Sequence, residues 1–394
     1  MFITENQVFL NRYLVKEEIG SGSFGKVFKV EDLNKPKSYA LKVDIAQKGN
    51  VYLESKTLSD LQGITGIPKL YKQGMEDNFS YMILELLGQN LNKLMKNCGG
   101  KFSLSTVIMC IKQIIQRIEN VHKKGYLHRD LKPHQVLLGP NKKVLYLTDF
   151  GLSRRFEVNS YHISFQSSCP RIGNATFSSL NNHGGVRQSR RDDLESIAYM
   201  TFYLYKGMLP WQCNRKLASS SKWQIIFQMK SNCKVEDLCR YCPKEFGVFL
   251  NYVRNLKFEE KPDYSYCISL LDCINLKEEL NFNRFDWAQG DSLNVGSKSL
   301  PLEKAEKSLN VENKCEVVQA KRKRATRSKT VLGKSRKLPQ REETVIGSYF
   351  IGGSAFDEST YNSLELTPRN IWPEFRNRSI LMKPELEKSN CVIM

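Results

Sequence analysis

The sequence predicts an α+β chain of two lobes, a small β-rich N-terminal lobe and a mainly helical C-terminal lobe, followed by a disordered tail. Three observations predict it. The first ~88 residues alternate like strands around a glycine-rich turn. Residues 107–121 carry Val107, Ile108, Ile111, Ile114, Ile115, Ile118 and Val121 at helical spacing. After about Gly290 apolar periodicity fades and charged and small residues dominate.

The elements follow in order. Residues 13–15 lead into the glycine-rich turn and 26–30 lead out of it as strands. Residues 39–43 form a further strand, whose period of two puts Ala40 and Lys42 on one face and Tyr39, Leu41 and Val43 on the other. A helix is expected over 51–61 and a buried strand over 81–85, closing at Gly88. Beyond it, helices are expected over 107–121, 192–205 and 246–256. Two short strands, 136–138 and 144–147, flank a Pro140-Asn141 turn. The domain limits read as 11–88, 89–290 and 291–394.

Composition narrows the function classes. The net charge is +19; residues 291–394 hold 19 basic and 13 acidic residues, so the tail carries +6 and the preceding chain +13. Such a chain suits acidic partners: phosphorylated proteins, acidic peptides, nucleic acid or anionic lipid. The opening residues lack the pattern of a signal peptide, and no apolar run reaches the ~18–20 residues of a membrane span. Eleven scattered cysteines point to reduced thiols in an intracellular setting. Cys239-x-x-Cys242, with Cys233 nearby, has no second pair at metal spacing and reads as thiols rather than zinc ligands.

The chemistry sits in a few strings. Gly20-Ser21-Gly22-Ser23-Phe24-Gly25-Lys26 lies between two strands, where glycines let the backbone approach phosphates. A dinucleotide fingerprint would need a helix next, and a Walker A loop would need Ser or Thr where Val27 stands. Lys42, 17 positions after Gly25, can hold α- and β-phosphates if a carboxylate orients it, and Glu54 is the candidate. His128-Arg129-Asp130-Leu131-Lys132-Pro133-His134-Gln135 and Asp149-Phe150-Gly151 read as the catalytic loop and metal-binding Asp of a protein kinase. Asp130 would be the base, Lys132 would offset charge on the γ-phosphate, and Asp149 would hold Mg²⁺. The template has Asn where this chain has Gln135, whose amide sits on a side chain longer by one methylene. Mg²⁺ needs near-octahedral oxygens at about 2.0–2.1 Å, so activity slower than the norm is expected.

The chain resembles the casein kinase I family of Ser/Thr protein kinases over roughly residues 11–290. The strings that carry the resemblance are IGSGSFGKV (19–27), ALKVD (40–44), ESKTL (54–58), LELLG (84–88), QSRRDDLES (188–196), LPWQ (209–212) and KPDYSY (261–266). Ser179-Leu180-Asn181 is similar to the family's Ser-Ile-Asn, where most kinases carry Ala-Pro-Glu. The resemblance implies a bilobal protein-kinase fold with ATP and Mg²⁺ in the cleft. It implies that Ile19, Val27, Ala40 and Leu137 sandwich adenine, that 85–87 (Glu85 to Leu87) form the hinge, and that Leu84 is the gatekeeper. It implies that Asp193 braces the catalytic loop, and that substrates are acidic or already phosphorylated proteins. The family's anion site is kept in part: Lys222 stands, but Thr176 replaces an Arg and Cys213 a Gly. A kinase domain of this type is expected to be monomeric.

The tail carries its own pattern. Residues 321–337 hold nine basic and no acidic residues, and the last four residues, Cys391-Val392-Ile393-Met394, form a C-a-a-X pattern. A prenyl group, farnesyl by the final Met, on Cys391 plus the basic run would give reversible attachment to an anionic membrane surface. The expected location is cytoplasm and the cytoplasmic face of membranes, with nuclear import as the alternative use of the basic run. A second functional reading is a kinase-fold scaffold that binds nucleotide or phosphoprotein without efficient transfer. Nucleic acid is not expected as a partner, since no module or stacking pattern accompanies the charge.

Overall fold

Alternation and glycine placement build the N-terminal lobe. The computed structural model describes residues 3–22, 25–44, 50–76, 79–212, 219–278, 280, 282 and 284–288. Strands β1 (Val8–Phe9), β2 (Tyr13–Gly22), β3 (Gly25–Asp32) and β4 (Ser38–Val43) precede helix α1 (Asn50–Asp60), and β5 (Leu70–Glu76) and β6 (Phe79–Glu85) follow it. They form an antiparallel sheet in the order β1-β2-β3-β4-β6-β5. As the period of two requires, Tyr39, Leu41 and Val43 join Val15, Phe28, Val30, Tyr81 and Ile83 in one apolar cluster. Lys42 is on the other face, paired across the ladder with Val27 and Met82.

The C-terminal lobe is mainly helical. It runs through α2 (Leu91–Asn97), α3 (Leu104–Lys123), β7 (Tyr126–Leu127), β8 (Val136–Leu138), β9 (Leu145–Leu147), β10 (Arg154–Arg155), β11 (Glu157–Val158) and β12 (Tyr161–His162). It continues with α4 (Leu180–His183), α5 (Arg190–Lys206), α6 (Ser219–Asn232), α7 (Val235–Leu238), α8 (Lys244–Arg254) and α9 (Tyr264–Glu278). The 3.6-residue stripe of α3 is fully buried, and Ser103 caps the helix by accepting from Thr106 N. Buried α5 packs on α3 and α8, and at its start Asp192 Oδ2 accepts from Ser189 N at 2.7 Å. Gly207 ends α5 at φ 85°, where a Cβ would strike Gly100 O at 2.6 Å.

This is the α+β bilobal arrangement expected from the sequence. The expected helices and strands are found with ends shifted by a few residues. Among the described residues no helix is long and apolar enough to cross a membrane. No cluster of three His, Cys, Asp or Glu side chains is placed to hold a metal there either. Cys239 lies against Gly247 of α8 instead, where a Cβ would meet its sulfur at 2.6 Å.

Candidate active site

The site begins with the glycine-rich turn. Gly25 has φ 130°, and a Cβ there would overlap Val43 O, so the fold itself demands glycine. Gly20 and Gly22 differ: a Cβ would meet only Val27 at ordinary contact in the first case and nothing in the second. Their bareness has no packing reason and leaves the backbone of β2 open to a ligand's close approach. Ile19 is exposed and Val27 partly so, whereas Ala40 is buried beside Leu84 across the ladder. Residues 85–88 are pinned at both ends, by Glu85 N donating to Lys69 O (2.9 Å) and Gly88 N to Leu138 O (2.7 Å). Leu137 bridges to Asn90 below them.

Lys42 is held between two carboxylates. Its Nζ lies 2.6 Å from Glu54 Oε2 and 3.0 Å from Asp149 Oδ1. Burial pulls the Lys42 ammonium toward neutrality, but the two carboxylates outweigh it and hold its pKa above the ordinary lysine range. Burial raises the Glu54 carboxyl, and Lys42 opposes that shift. Asp149 ends below the usual carboxylate range because Lys42 overcomes its burial. Helix α1 packs against the 150–152 turn, and Phe150 is buried beside His128 with ring centroids 5.0 Å apart.

The catalytic loop is braced from beneath. Asp193 Oδ2 accepts from His128 N (2.9 Å) and Oδ1 from Arg129 N (2.9 Å). His122 Nε2 lies 2.9 Å from Asp193 Oδ2, and Tyr264 OH lies 2.6 Å from His122 Nδ1. Burial holds the His122 ring below its ordinary pKa, so it donates to Asp193 through Nε2 and accepts from Tyr264. Burial would raise the Asp193 carboxyl, but the His122 hydrogen bond leads the forces that lower it. Two non-glycine residues here, Arg129 (φ 69°) and Asp149 (φ 65°), adopt left-handed backbone, a strain that clusters at functional sites.

The β8–β9 hairpin, in register Val136↔Leu147, brings the two acidic residues together. Thr148 N donates to Gln135 O at 2.9 Å, fixing one strand end against the other. Lys132 Nζ lies 2.5 Å from Asp130 Oδ2. Gln135 Nε2 donates to Asp149 Oδ2 at 2.5 Å and reaches Asp130 Oδ2 at 3.4 Å. Asp130 Oδ1 is buried and has no hydrogen-bond partner among the described residues. Asp149, Asp130 and the Gln135 amide offer only hard oxygen donors, a set that suits Mg²⁺, and the unpartnered Asp130 oxygen shows acceptor capacity to spare. With Nε2 toward Asp149, Gln135 would present its oxygen only after its amide turns over.

The chain matches the protein kinase domain over residues 13–274, well over half of its 394 residues. It belongs to the protein kinase family. In this kinase, then, ATP and Mg²⁺ use and protein substrates follow from the family at the general level.

The remaining sequence expectations fall unevenly. Lys222 lies exposed on the first turn of α6, with no hydrogen bond or ion pair to other described residues. Thr176 is bound through its main chain, N to Asn174 Oδ1 (2.9 Å) and O from Trp211 Nε1 (2.8 Å). Ser23, Phe24, Cys213, the basic run at 321–337 and Cys391 lie outside the described residues. Other residues packed around the catalytic loop carried no assigned role in the sequence. Gly173, at φ 92°, sits where a Cβ would strike Arg129 O at 2.5 Å and crowd Asp130 Oδ1 at 3.3 Å. His122 stood in no motif, and Tyr264 stood in KPDYSY (261–266) without an assigned role.

Proposed function

We propose that the protein is an ATP-dependent Ser/Thr kinase of casein kinase I type, acting on acidic or phosphorylated protein substrates. The observation that carries this reading is the convergence of Lys42, Glu54, Asp149, Asp130 and Lys132 at one cleft, at hydrogen-bond distances. The casein kinase I strings and the Ser179-Leu180-Asn181 ending support the subfamily.

The residues divide the work as follows. Ile19, Val27, Ala40 and Leu137 enclose adenine and 85–87 bind its edge. The backbone of 20–26 covers the phosphates, and Lys42, kept charged by Glu54, holds the α- and β-phosphates. Asp149, with Gln135 once its amide has turned, would hold Mg²⁺, which when bound neutralises charge on the phosphates. Asp130 Oδ1 accepts the proton of the substrate hydroxyl. The hydroxyl oxygen bonds to the γ-phosphorus, the bond from that phosphorus to the bridging β-phosphate oxygen breaks, and ADP leaves. Lys132 stands beside Asp130 to offset charge on the moving phosphoryl group.

The contact between the Gln135 amide N–H and both carboxylates favours one second reading, a kinase-fold scaffold with little transfer. Labelled ATP, an acidic protein and phosphoamino-acid analysis of the product decide between them. Phosphoserine or phosphothreonine is expected; phosphotyrosine alone, or nucleotide binding with no labelled product, would contradict the reading. The tail sequence extends the proposal to membrane tethering through Cys391. Cys391→Ser should move the protein from membrane to soluble fractions, and an unchanged distribution would remove that part.

A further inference from the structure

Lys230 lies in the last turn of α6 and has no solvent exposure. A buried ammonium is costly unless its hydrogen atoms all find acceptors. Here Nζ donates to Ser178 O at 2.5 Å and Ala175 O at 3.0 Å, and His183 Nε2 lies 3.3 Å away. The rings of Tyr199 and Trp211 lie 4.5 Å and 5.1 Å from Nζ and add cation–π attraction. Glu195 acts on it only through space, since its oxygen goes to Tyr199 OH and Arg254.

His183 Nδ1 faces Trp223 O at 3.1 Å and Nε2 faces Ala175 O at 3.0 Å, so the imidazole lies among the same carbonyls. Burial pulls the Lys230 ammonium well below the ordinary lysine range, and Glu195 opposes that shift. Nζ donates to Ala175 O and Ser178 O in either charge state, since a neutral amine keeps two hydrogens.

The two carbonyls that Lys230 binds bracket Thr176 and Phe177. Trp211 Nε1 takes the Thr176 carbonyl between them, and Ser178 N closes the loop on Asn174 O at 3.0 Å. The N-terminal end of the same loop is Gly173, where an added Cβ would strike Arg129 O at 2.5 Å and crowd Asp130 Oδ1 at 3.3 Å. A single buried amine thus grips one end of a short loop whose other end packs so closely on the catalytic loop that a Cβ at Gly173 would strike Arg129 O.

We propose that Lys230 is a positioning residue that fixes the loop 173–179 against the catalytic loop, so that a substrate hydroxyl is presented to Asp130. This inference rests on the kinase reading above. It assigns to one buried side chain the anchoring of the segment where this chain lacks Ala-Pro-Glu.

The test uses the full-length protein and Lys230→Met, which keeps an unbranched apolar side chain and removes the donors. Main-chain amides of 174–180 should exchange hydrogen at least tenfold faster in the variant, with those of α5 within twofold of wild type. KM for a peptide substrate should rise at least tenfold, while the Kd of a non-hydrolysable ATP analogue stays within twofold. Unchanged loop exchange overturns the proposal. Faster exchange spread through α5, or nucleotide affinity falling with peptide affinity, also overturns it, because Lys230 would then be a general core residue. Local loosening in a chain whose wild type transfers no phosphate would support the anchor and overturn the kinase reading instead. If Lys230→Met does not fold, Lys230→Gln, which keeps an amide donor, gives the same two measurements on a smaller scale.

Discussion

Gln135 Nε2 lies 2.5 Å from Asp149 Oδ2, so an amide N–H joins the proposed metal-binding carboxylate directly. The same nitrogen reaches Asp130 Oδ2 at 3.4 Å, which ties the proposed base into the contact. The extra methylene of Gln is what brings the amide to both. Presenting Oε1 to a cation requires these contacts to break and the amide to turn.

Gln135→Asn should therefore raise the rate of phosphoryl transfer. The shorter amide withdraws from Asp149 and removes a competing hydrogen bond from the acidic pair. Misplacement of a reacting group by ~1 Å costs up to about 10²-fold, so a gain of about tenfold in kcat is expected. Steady-state kinetics at saturating ATP check it; a fall in kcat would show that Gln135 is already well placed.

Asp193→Asn should cost both stability and activity. Its two oxygens hold His128 N, Arg129 N and His122 Nε2, all within 2.9 Å. An amide in that place cannot accept on both sides, and it leaves a buried donor facing another. The loss should be about 2–4 kcal/mol, read by denaturant unfolding, with kcat falling more than KM for ATP rises.

Thr176→Arg should increase preference for a primed peptide. Lys222 is exposed with no partner among the described residues, and Thr176 carries no charge. A guanidinium adds charge-assisted bonds to phosphate, so the ratio of kcat/KM for primed over unprimed peptide should rise about tenfold. The wild type should show only a small ratio, and a large one would contradict this account of the anion site.

Acid stability should depend on two buried groups with opposite signs. Burial pulls the His183 imidazole down to about 4 from the 6.5 of a free ring. The unfolded chain then takes the proton first, so the stability contributed by neutral His183 is full above about pH 6.5 and drains as pH falls toward 4. Its size is on the order of 3 kcal/mol. Burial raises the Asp192 carboxyl to about 6, so its native form takes a proton before the unfolded one and regains stability as pH falls below 6. Unfolding free energies between pH 7 and 4.5 should therefore fall less steeply in His183→Gln and more steeply in Asp192→Asn. Parallel curves for all three proteins would remove the assignment.

Much of the site was legible because its parts are local strings. Lys42 and Glu54 are read from a strand period and the following helix, and Asp130, Lys132 and Asp149 from a loop and a hairpin. Gly173 and Lys230 were not legible, since their roles exist only through contacts between elements far apart in the chain. Lys230 reaches Ala175 and Ser178 from α6, a stretch to which the sequence assigned no element. The orientation of the Gln135 amide was equally hidden. Composition and spacing give its reach, whereas the two carboxylates around it decide which atom faces inward.

The most direct test is single-turnover transfer of labelled phosphate from ATP to an acidic protein, comparing wild type with Asp130→Asn. Measurable transfer by wild type and a loss of about 10²–10⁴-fold in the variant are expected, with nucleotide affinity unchanged. Equal transfer by the two proteins, or none by wild type at saturating ATP and Mg²⁺, would contradict it.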